Sequence, residues 1–376
     1  MILNKDKFHS FDALRFLSFL IVFTSHQPFD LFPKSCFTIL KDRGHLGVYF
    51  FFTLSGFLIT YILLNEKTNN LKINLKKFYI RRILRIWPLF YLMVLFAYLS
   101  PQMITFLGMR YSTEGYEPNY FLTCLFLENY HTIFTHQFPN VMPLPVFWSL
   151  CIEEHFYIIW GLLLYYTNIK KIPYLILCFL ILPIMMRHFF LQNNFMILDL
   201  STNIDLFMYG ALPAYLYVNH KQQLIDTIQK QSNYLKALPL VLVVAWVLFS
   251  GSYPLESLTY LEPSIMGILC SLLLFVFLPS KNNFKITDAN ALSKLGLFTY
   301  SLYLIHFITI SLLKKLTLKW NFSLDQKGLT FFVAALLLTI LVSYISYHFI
   351  EKPFLKLKRL FDQNKALDSM ESSKLR

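Results

Sequence analysis

The sequence is poor in charge. Asp, Glu, Lys and Arg together make up 15% of its 376 residues, whereas soluble domains run nearer a quarter. That scarcity excludes an ordinary soluble globular class. Its five cysteines (Cys36, Cys124, Cys151, Cys178 and Cys270) contain no CxxC. An odd, scattered set of this kind excludes a disulfide framework or a zinc site, so no metal is expected. No internal repeat or low-complexity tract is present, and nothing is long enough and polar enough for a second, soluble domain. The N-terminus carries Lys5 and Lys7 before an apolar run, as a signal peptide would, but lacks a small-residue cleavage site. It reads as a retained helix.

What remains is apolar. Hydrophobic residues account for 56% of the chain and aromatic residues for 18%, with a mean hydropathy of +0.50. Runs of about 17–25 apolar residues are long enough to cross a bilayer. They fall near 9–28, 45–64, 83–101, 146–166, 172–190, 200–218, 235–250, 257–278, 294–315 and 328–350. The fold class is therefore all-α, a polytopic membrane protein of about ten spans. The stretch 119–130 is apolar but short, and is expected to form a re-entrant or interfacial helix. Residues 1–361 read as one membrane domain, followed by a polar cytoplasmic tail, 362–376.

The net charge of +13 would suggest nucleic acid in a soluble chain. Here the basic residues cluster between spans, so no nucleic-acid partner is expected and lipid is the surrounding partner. With ten spans and the N-terminus inside, 24 of the 34 Lys and Arg residues fall on the cytoplasmic side and 8 outside. That asymmetry fits the positive-inside rule, with both termini cytoplasmic. The blemish is 314–327, which places four lysines outside.

Ionisable residues inside spans are costly and mark protein interiors or watery cavities. Arg15 and His26 are eleven positions apart, which returns them to one helix face about 16 Å apart along the axis. Asp12 lies one turn before Arg15 and is placed to pair with it. Arg15 alone also fits a snorkelling anchor. An imidazole can take a proton from a hydroxyl at neutral pH, the requirement for a general base.

In KKFYIRRILRIWP (76–88), Arg82 and Arg85 share a helix face. Positive-inside anchoring explains them, and so does a phosphate clamp, because paired guanidiniums grip phosphoryl oxygens in a fixed fork. In FWSLCIEEHFYIIW (147–160), Ser149, Glu153 and Tyr157 form an i, i+4, i+8 polar stripe with Glu154 beside it. Glu153 either shapes a site or pairs with an intramembrane arginine. Ser55-Gly56 permits close helix approach. Asn203 and Asp205 lie in a span, and His306 reads as a buried partner in another. Pro353 of YHFIEKPF is expected to stop the last helix.

In this order, the segments resemble the acyltransferase-3 family of integral membrane acyltransferases, which are O-acetyltransferase-like. Its opening Asp, Arg and His match Asp12, Arg15 and His26. GVYFFFTLSGFLI, RRILRIWP, WSLCIEEHFY, SLYLIH and FIEKPF are similar to its later signatures, across about residues 10–356. Tyr49 stands where members commonly have Asp, and Phe16 where Gly is usual. The hydrolase-like extra-membrane domain fused to some members is not seen, so a second, peripheral transfer step is not expected of this chain.

The resemblance implies transfer of an acyl group, by default acetyl, from cytoplasmic acyl-CoA to a hydroxyl of an extracytoplasmic glycan or glycolipid, at a bacterial inner membrane. Acyl-CoA is then a co-substrate and no cofactor is permanently bound. His26 would be the general base, oriented by Glu153. Arg82 and Arg85 would hold the nucleotide with help from Arg15. Asp12, Ser149, Glu154, Tyr157 and His306 would bind or orient substrate. One continuous passage is expected to join the arginines to His26. The rival readings are a transporter or flippase of a lipid-linked sugar, a structural subunit, and same-family acylation of peptidoglycan or a small molecule.

Overall fold

The computed structural model describes residues 6, 8–28, 38–106, 108, 114–250, 256–279, 282–319 and 328–358. The tail expected at 362–376 lies outside them, as do most of the loop 29–44 and all of 320–327. Among the described residues every regular element is helical. The helices are α1 (Ser10–Ser25), α2 (Gly44–Asn70), α3 (Leu75–Phe106), α4 (Tyr120–Cys124), α5 (Glu128–Thr135), α6 (Phe147–Tyr166), α7 (Ile172–Gln192) and α8 (Leu200–Asn219). They continue as α9 (Lys221–Lys230), α10 (Asn233–Phe249), α11 (Glu262–Phe277), α12 (Ala291–Gly296), α13 (Thr299–Lys319), α14 (Gly328–Ser346) and α15 (Lys352–Lys358).

A helix lies in each of the ten apolar segments. Seven are long and apolar enough to cross a membrane, or eight if α9 and α10, bent by 95° at their junction, count as one span. Of the other two segments, α1 has 16 residues and α8 has 20. Ser201, Thr202, Asn203 and Asp205 make α8 more polar than a lipid-facing helix. It escapes that cost because α2, α6, α7 and α11 surround it and Asn203 and Asp205 are buried. A helix wrapped by protein need not be apolar.

At the centre, α2 packs on α8, α1, α11 and α6. Two glycines allow its closest approach. A Cβ on Gly56 would collide with the backbone of Phe207, and one on Gly210 with the backbone of Thr53. Small residues let membrane helices meet through their backbones, where dispersion replaces the hydrophobic drive available in water. Aromatic stacking then fills the core, with Phe52 on Phe207 and Phe207 on Phe156 at centroid distances of 4.8 and 4.0 Å. A smaller cluster, containing Phe16, Phe19, Phe23, Leu302 and Phe331, joins α1 to α13 and α14.

Two expectations need correction. The stretch 119–130 is not one helix. Asn119 caps α4 through its side chain, Phe126 turns left-handed at φ 59°, and α5 starts at Glu128. The buried Glu128 carboxylate accepts from Thr123 and Tyr116, which ties the two pieces together. Nor does Pro353 end the last helix. A π-helical turn, Tyr347–Glu351, leads directly into α15. Pro353 is the second residue of α15, and just before it the Lys352 N–H reaches back five residues to the Tyr347 carbonyl, so the wider π-turn carries the helix past the proline.

Candidate active site

A cavity of about 260 Å³ lies inside the bundle, between α1, α2, α3, α6 and α13. Three arginines face it: Arg15 of α1 and Arg82 and Arg85 of α3. They enter from the end at which α1 and α13 begin, where Gly296, the last residue of α12, rests on the backbone of Asp12. Arg15 pairs with Asp12 as its spacing predicts. The guanidinium of Arg82 sits over the Tyr157 ring, 5.5 Å from its centroid, a cation–π contact. Its Nε has no hydrogen-bond partner among the described residues.

The polar stripe of α6 faces the same space. Ser149, Glu153 and Tyr157 all line it. Glu153 accepts from the Ser55 hydroxyl at 3.0 Å and from the Tyr157 hydroxyl at 2.9 Å. Among the described residues it forms no ion pair with an arginine. Two neutral donors therefore hold the carboxylate, and the guanidinium charge stays directed at empty volume. Ser149 donates to the Val146 carbonyl at 3.1 Å and lies 2.7 Å from the Tyr303 hydroxyl. Glu154 is buried but does not line the cavity. One of its carboxylate oxygens lacks a hydrogen-bond partner among the described residues.

One turn beyond Tyr303, His306 meets His26. His306 Nδ1 is 2.6 Å from the Tyr303 carbonyl oxygen and His306 Nε2 is 3.1 Å from His26 Nδ1. These contacts order the protons. A carbonyl only accepts, so Nδ1 of His306 carries hydrogen, and in a neutral ring Nε2 then carries the lone pair. With both rings neutral, His26 donates from Nδ1 and keeps a lone pair on Nε2; its ring is also hydrogen-bonded to the Val22 backbone. The tautomers are assigned from the network in this way. Phe307 packs against the His26 ring at 4.8 Å.

The structure thus gathers Arg15, Arg82, Arg85, Ser149, Glu153 and Tyr157 around one cavity and joins His26 to His306. It does not bring Glu153 to His26. In place of the expected carboxylate–imidazole pair there is an imidazole–imidazole pair, and Glu153 accepts instead from Ser55 and Tyr157. Nor is His26 among the residues lining this cavity, and Tyr303 lies between the cavity and His306 on α13. Sequence reasoning passed over Tyr303 and Ser55, although Tyr303 precedes His306 by one helical turn and Ser55 was noted only for its size. Phe16 fills the contact of α1 with α13 and α14, and Tyr49 is buried beside His45.

The described residues thus form a many-helix bundle of membrane-spanning length, with an arginine-lined internal cavity and, one turn along α13 from it, a histidine pair. The acyltransferase domain model of the acyltransferase-3 family matches residues 8–348, and the chain belongs to that family. That family's domain is described as an acyltransferase domain. The chain is 33% identical over 176 residues to the peptidoglycan O-acetyltransferase OatA of Listeria monocytogenes, a match covering 45% of this chain and 26% of that protein. It is 28% identical over 340 residues to a Staphylococcus aureus protein named as an O-acetyltransferase, covering 83% of this chain and 53% of that one. The matches span from about a quarter to about half of those relatives. No solved structure matches significantly.

Proposed function

We propose that the protein transfers an acetyl group from cytoplasmic acyl-CoA to a hydroxyl of an extracytoplasmic glycan, with His26 as general base. The order of hydrogen bonds from the Tyr303 carbonyl through His306 to His26 carries this reading, since it leaves a lone pair on His26 Nε2. His306 holds that tautomer and disperses the charge that forms, as the orienting member of a catalytic triad does. The acceptor oxygen bonds to the acyl carbon, the C–S bond breaks, and the proton taken by His26 passes to the departing CoA sulfur.

The arginine-lined cavity is the donor site in this reading. Pockets for drug-sized ligands measure about 300–1,000 Å³, so 260 Å³ suits a slender pantetheine arm with its nucleotide at the mouth. Arg82 and Arg85 take phosphate oxygens, and Arg15, held by Asp12, adds positive charge. Glu153 acts here on the donor side, through Ser55 and Tyr157. The bias of basic residues supports both termini in the cytoplasm, and the bacterial sources of the relatives support an inner-membrane location. The names of the relatives support a cell-wall glycan, peptidoglycan among them, as acceptor.

The test is transfer of radiolabelled acetyl from acetyl-CoA into cell-wall material by membranes carrying the protein or its His26→Ala variant. General-base catalysis contributes about 10²–10⁴-fold, and label incorporation is expected to fall by that factor. Undiminished transfer by His26→Ala would overturn the assignment of the base. Transfer that occurs without acyl-CoA would overturn the donor.

A further inference from the structure

The arginine-lined cavity and the histidine pair are neighbours along α13, and neither histidine is among the residues lining that cavity. Along α13, Tyr300 and Tyr303 line the cavity, and His306 follows one turn later. The Tyr303 ring faces both sides. It borders the cavity, its centroid lies 5.8 Å from that of His306, and the Phe51 ring meets it edge-on at 6.0 Å. Its hydroxyl reaches across to α6, 2.7 Å from Ser149 Oγ. Both hydroxyls also reach the Val146 carbonyl, Ser149 at 3.1 Å and Tyr303 at 3.4 Å, so the two share one acceptor at the start of α6.

We propose that Tyr303 is a gate. Closed on Ser149, it keeps a thioester bound in the donor cavity out of reach of His26; turned aside, it opens the way to the base. The proposal rests on the acyl-CoA reading only for the gate's purpose, because the geometry of the gate involves no ligand.

The moving part is a side chain. Tyr303 lies in an unbroken helical stretch and its carbonyl is engaged by His306, so the backbone stays while the phenol rotates. Opening loses the neutral hydrogen bonds to Ser149 and the Val146 carbonyl, the second long at 3.4 Å, and the ring contacts with Phe51 and His306. A net hydrogen bond is weak enough to be broken in each turnover. The gate has a chemical use. An exposed thioester beside an imidazole base hydrolyses: water adds to the acyl carbon, the C–S bond breaks, and CoA thiol and acetate leave with one proton. Water exclusion from reactive intermediates is a recognised purpose of closed active sites. Tyr303 is thus a positioning residue, acting on how and when donor meets base.

Two measurements test it. First, His26→Cys is placed in a chain whose five native cysteines are serine, and membrane vesicles of each orientation are treated with an impermeant thiosulfonate. From the side of the three arginines, Cys at 26 is expected to be protected while Tyr303 is present. It should react severalfold faster with Tyr303→Phe, which lacks only the hydroxyl, and at least about tenfold faster with Tyr303→Ala, in line with the loss of a hydrogen bond and then of the ring. Labelling from the opposite side should not change. Equal labelling from the arginine side in all three overturns the gate, and the Phe variant keeps the test valid if Ala misfolds.

Second, acetyl-CoA hydrolysis without acceptor should rise in the same order in protein that retains His26, and vanish when His26→Ala is added. Labelling that opens with no acetyl-CoA hydrolysis in any variant would leave the gate standing and remove the acyl-CoA donor. Hydrolysis that occurs but does not depend on Tyr303 would overturn the gate's proposed purpose.

Discussion

The bundle holds two kinds of inward-facing arginine, one fully buried and one part-buried at a cavity, with different surroundings. Arg187 of α7 is fully enclosed. It donates from Nη2 to Asp205 at 2.6 Å and to Ser264 at 2.7 Å, and Ser264 donates to the same carboxylate oxygen at 2.6 Å. Its charge is spent inside the protein, locking α7 to α8 and α11. Arg82 rests on the face of a phenol beside a carboxylate that is already satisfied, and the cavity holds open space in front of it. The same residue type is structural where an anion of the chain meets it. In the proposed function Arg82, whose direct contact is a neutral ring, takes an anion from outside, and Arg15, already paired with Asp12, adds charge beside it.

The largest effect expected is on the structural side. Breaking a buried ion pair by removing one member costs about 3–5 kcal/mol, because the other charge is stranded. Arg187→Ala and Asp205→Ala should each cut the amount of folded protein in membranes and lower the melting temperature in detergent. The double variant Arg187→Met/Asp205→Leu should recover much of the loss, since an apolar pair strands no charge. If Arg187→Ala folds normally and instead weakens acetyl-CoA binding, the two sets are alike and the comparison fails.

Next in size is the receptor side. Arg82→Ala and Arg85→Ala should leave abundance and melting temperature near the parent values. Hydrogen bonds to charged groups are worth about 1.5–3 kcal/mol, so acetyl-CoA affinity should fall roughly tenfold to a hundredfold, measured by equilibrium binding to purified protein. Arg→Lys should recover only part, because an ammonium does not reproduce the guanidinium fork. Loss of folded protein without any loss of affinity would reassign these residues as anchors.

Spacing made some of this visible in the sequence. A period of 3.6 put Ser149, Glu153 and Tyr157 on one face, and the structure keeps them there. One turn separates Asp12 from Arg15, and they pair. The ten apolar segments are helical because backbone groups in hydrocarbon must be satisfied within their own segment. What spacing cannot supply is which faces meet. Glu153 was expected at His26, yet its height in the bundle is set by where α6 begins, and that depends on Phe147 packing on Phe90 of α3 at 4.9 Å. The His26–His306 contact joins residues 280 positions apart and was legible only as two separate imidazoles in spans. Tyr303 was hidden for a similar reason. A tyrosine in a membrane helix is common, and only the cavity on one side of it and the histidine on the other make it informative.

The smallest expected effect separates the two neutral partners of the cavity most finely. Tyr157 serves Glu153 with its hydroxyl and Arg82 with its ring. Tyr157→Phe removes the first contact and keeps the second. Loss of one neutral donor costs about 1 kcal/mol, so acetyl-CoA affinity should fall by a factor of about five, while Tyr157→Leu, which also loses the cation–π contact, should cost about 0.5–2 kcal/mol more. If the two variants bind alike, the ring does not position Arg82. The guanidinium is then held by something other than its phenol, and the contrast with Arg187, whose partner is an acid, would lose its physical basis. If Leu is worse by the margin given, Tyr157 is to Arg82 what Asp205 is to Arg187, with the difference that an uncharged partner leaves the positive charge available to a substrate.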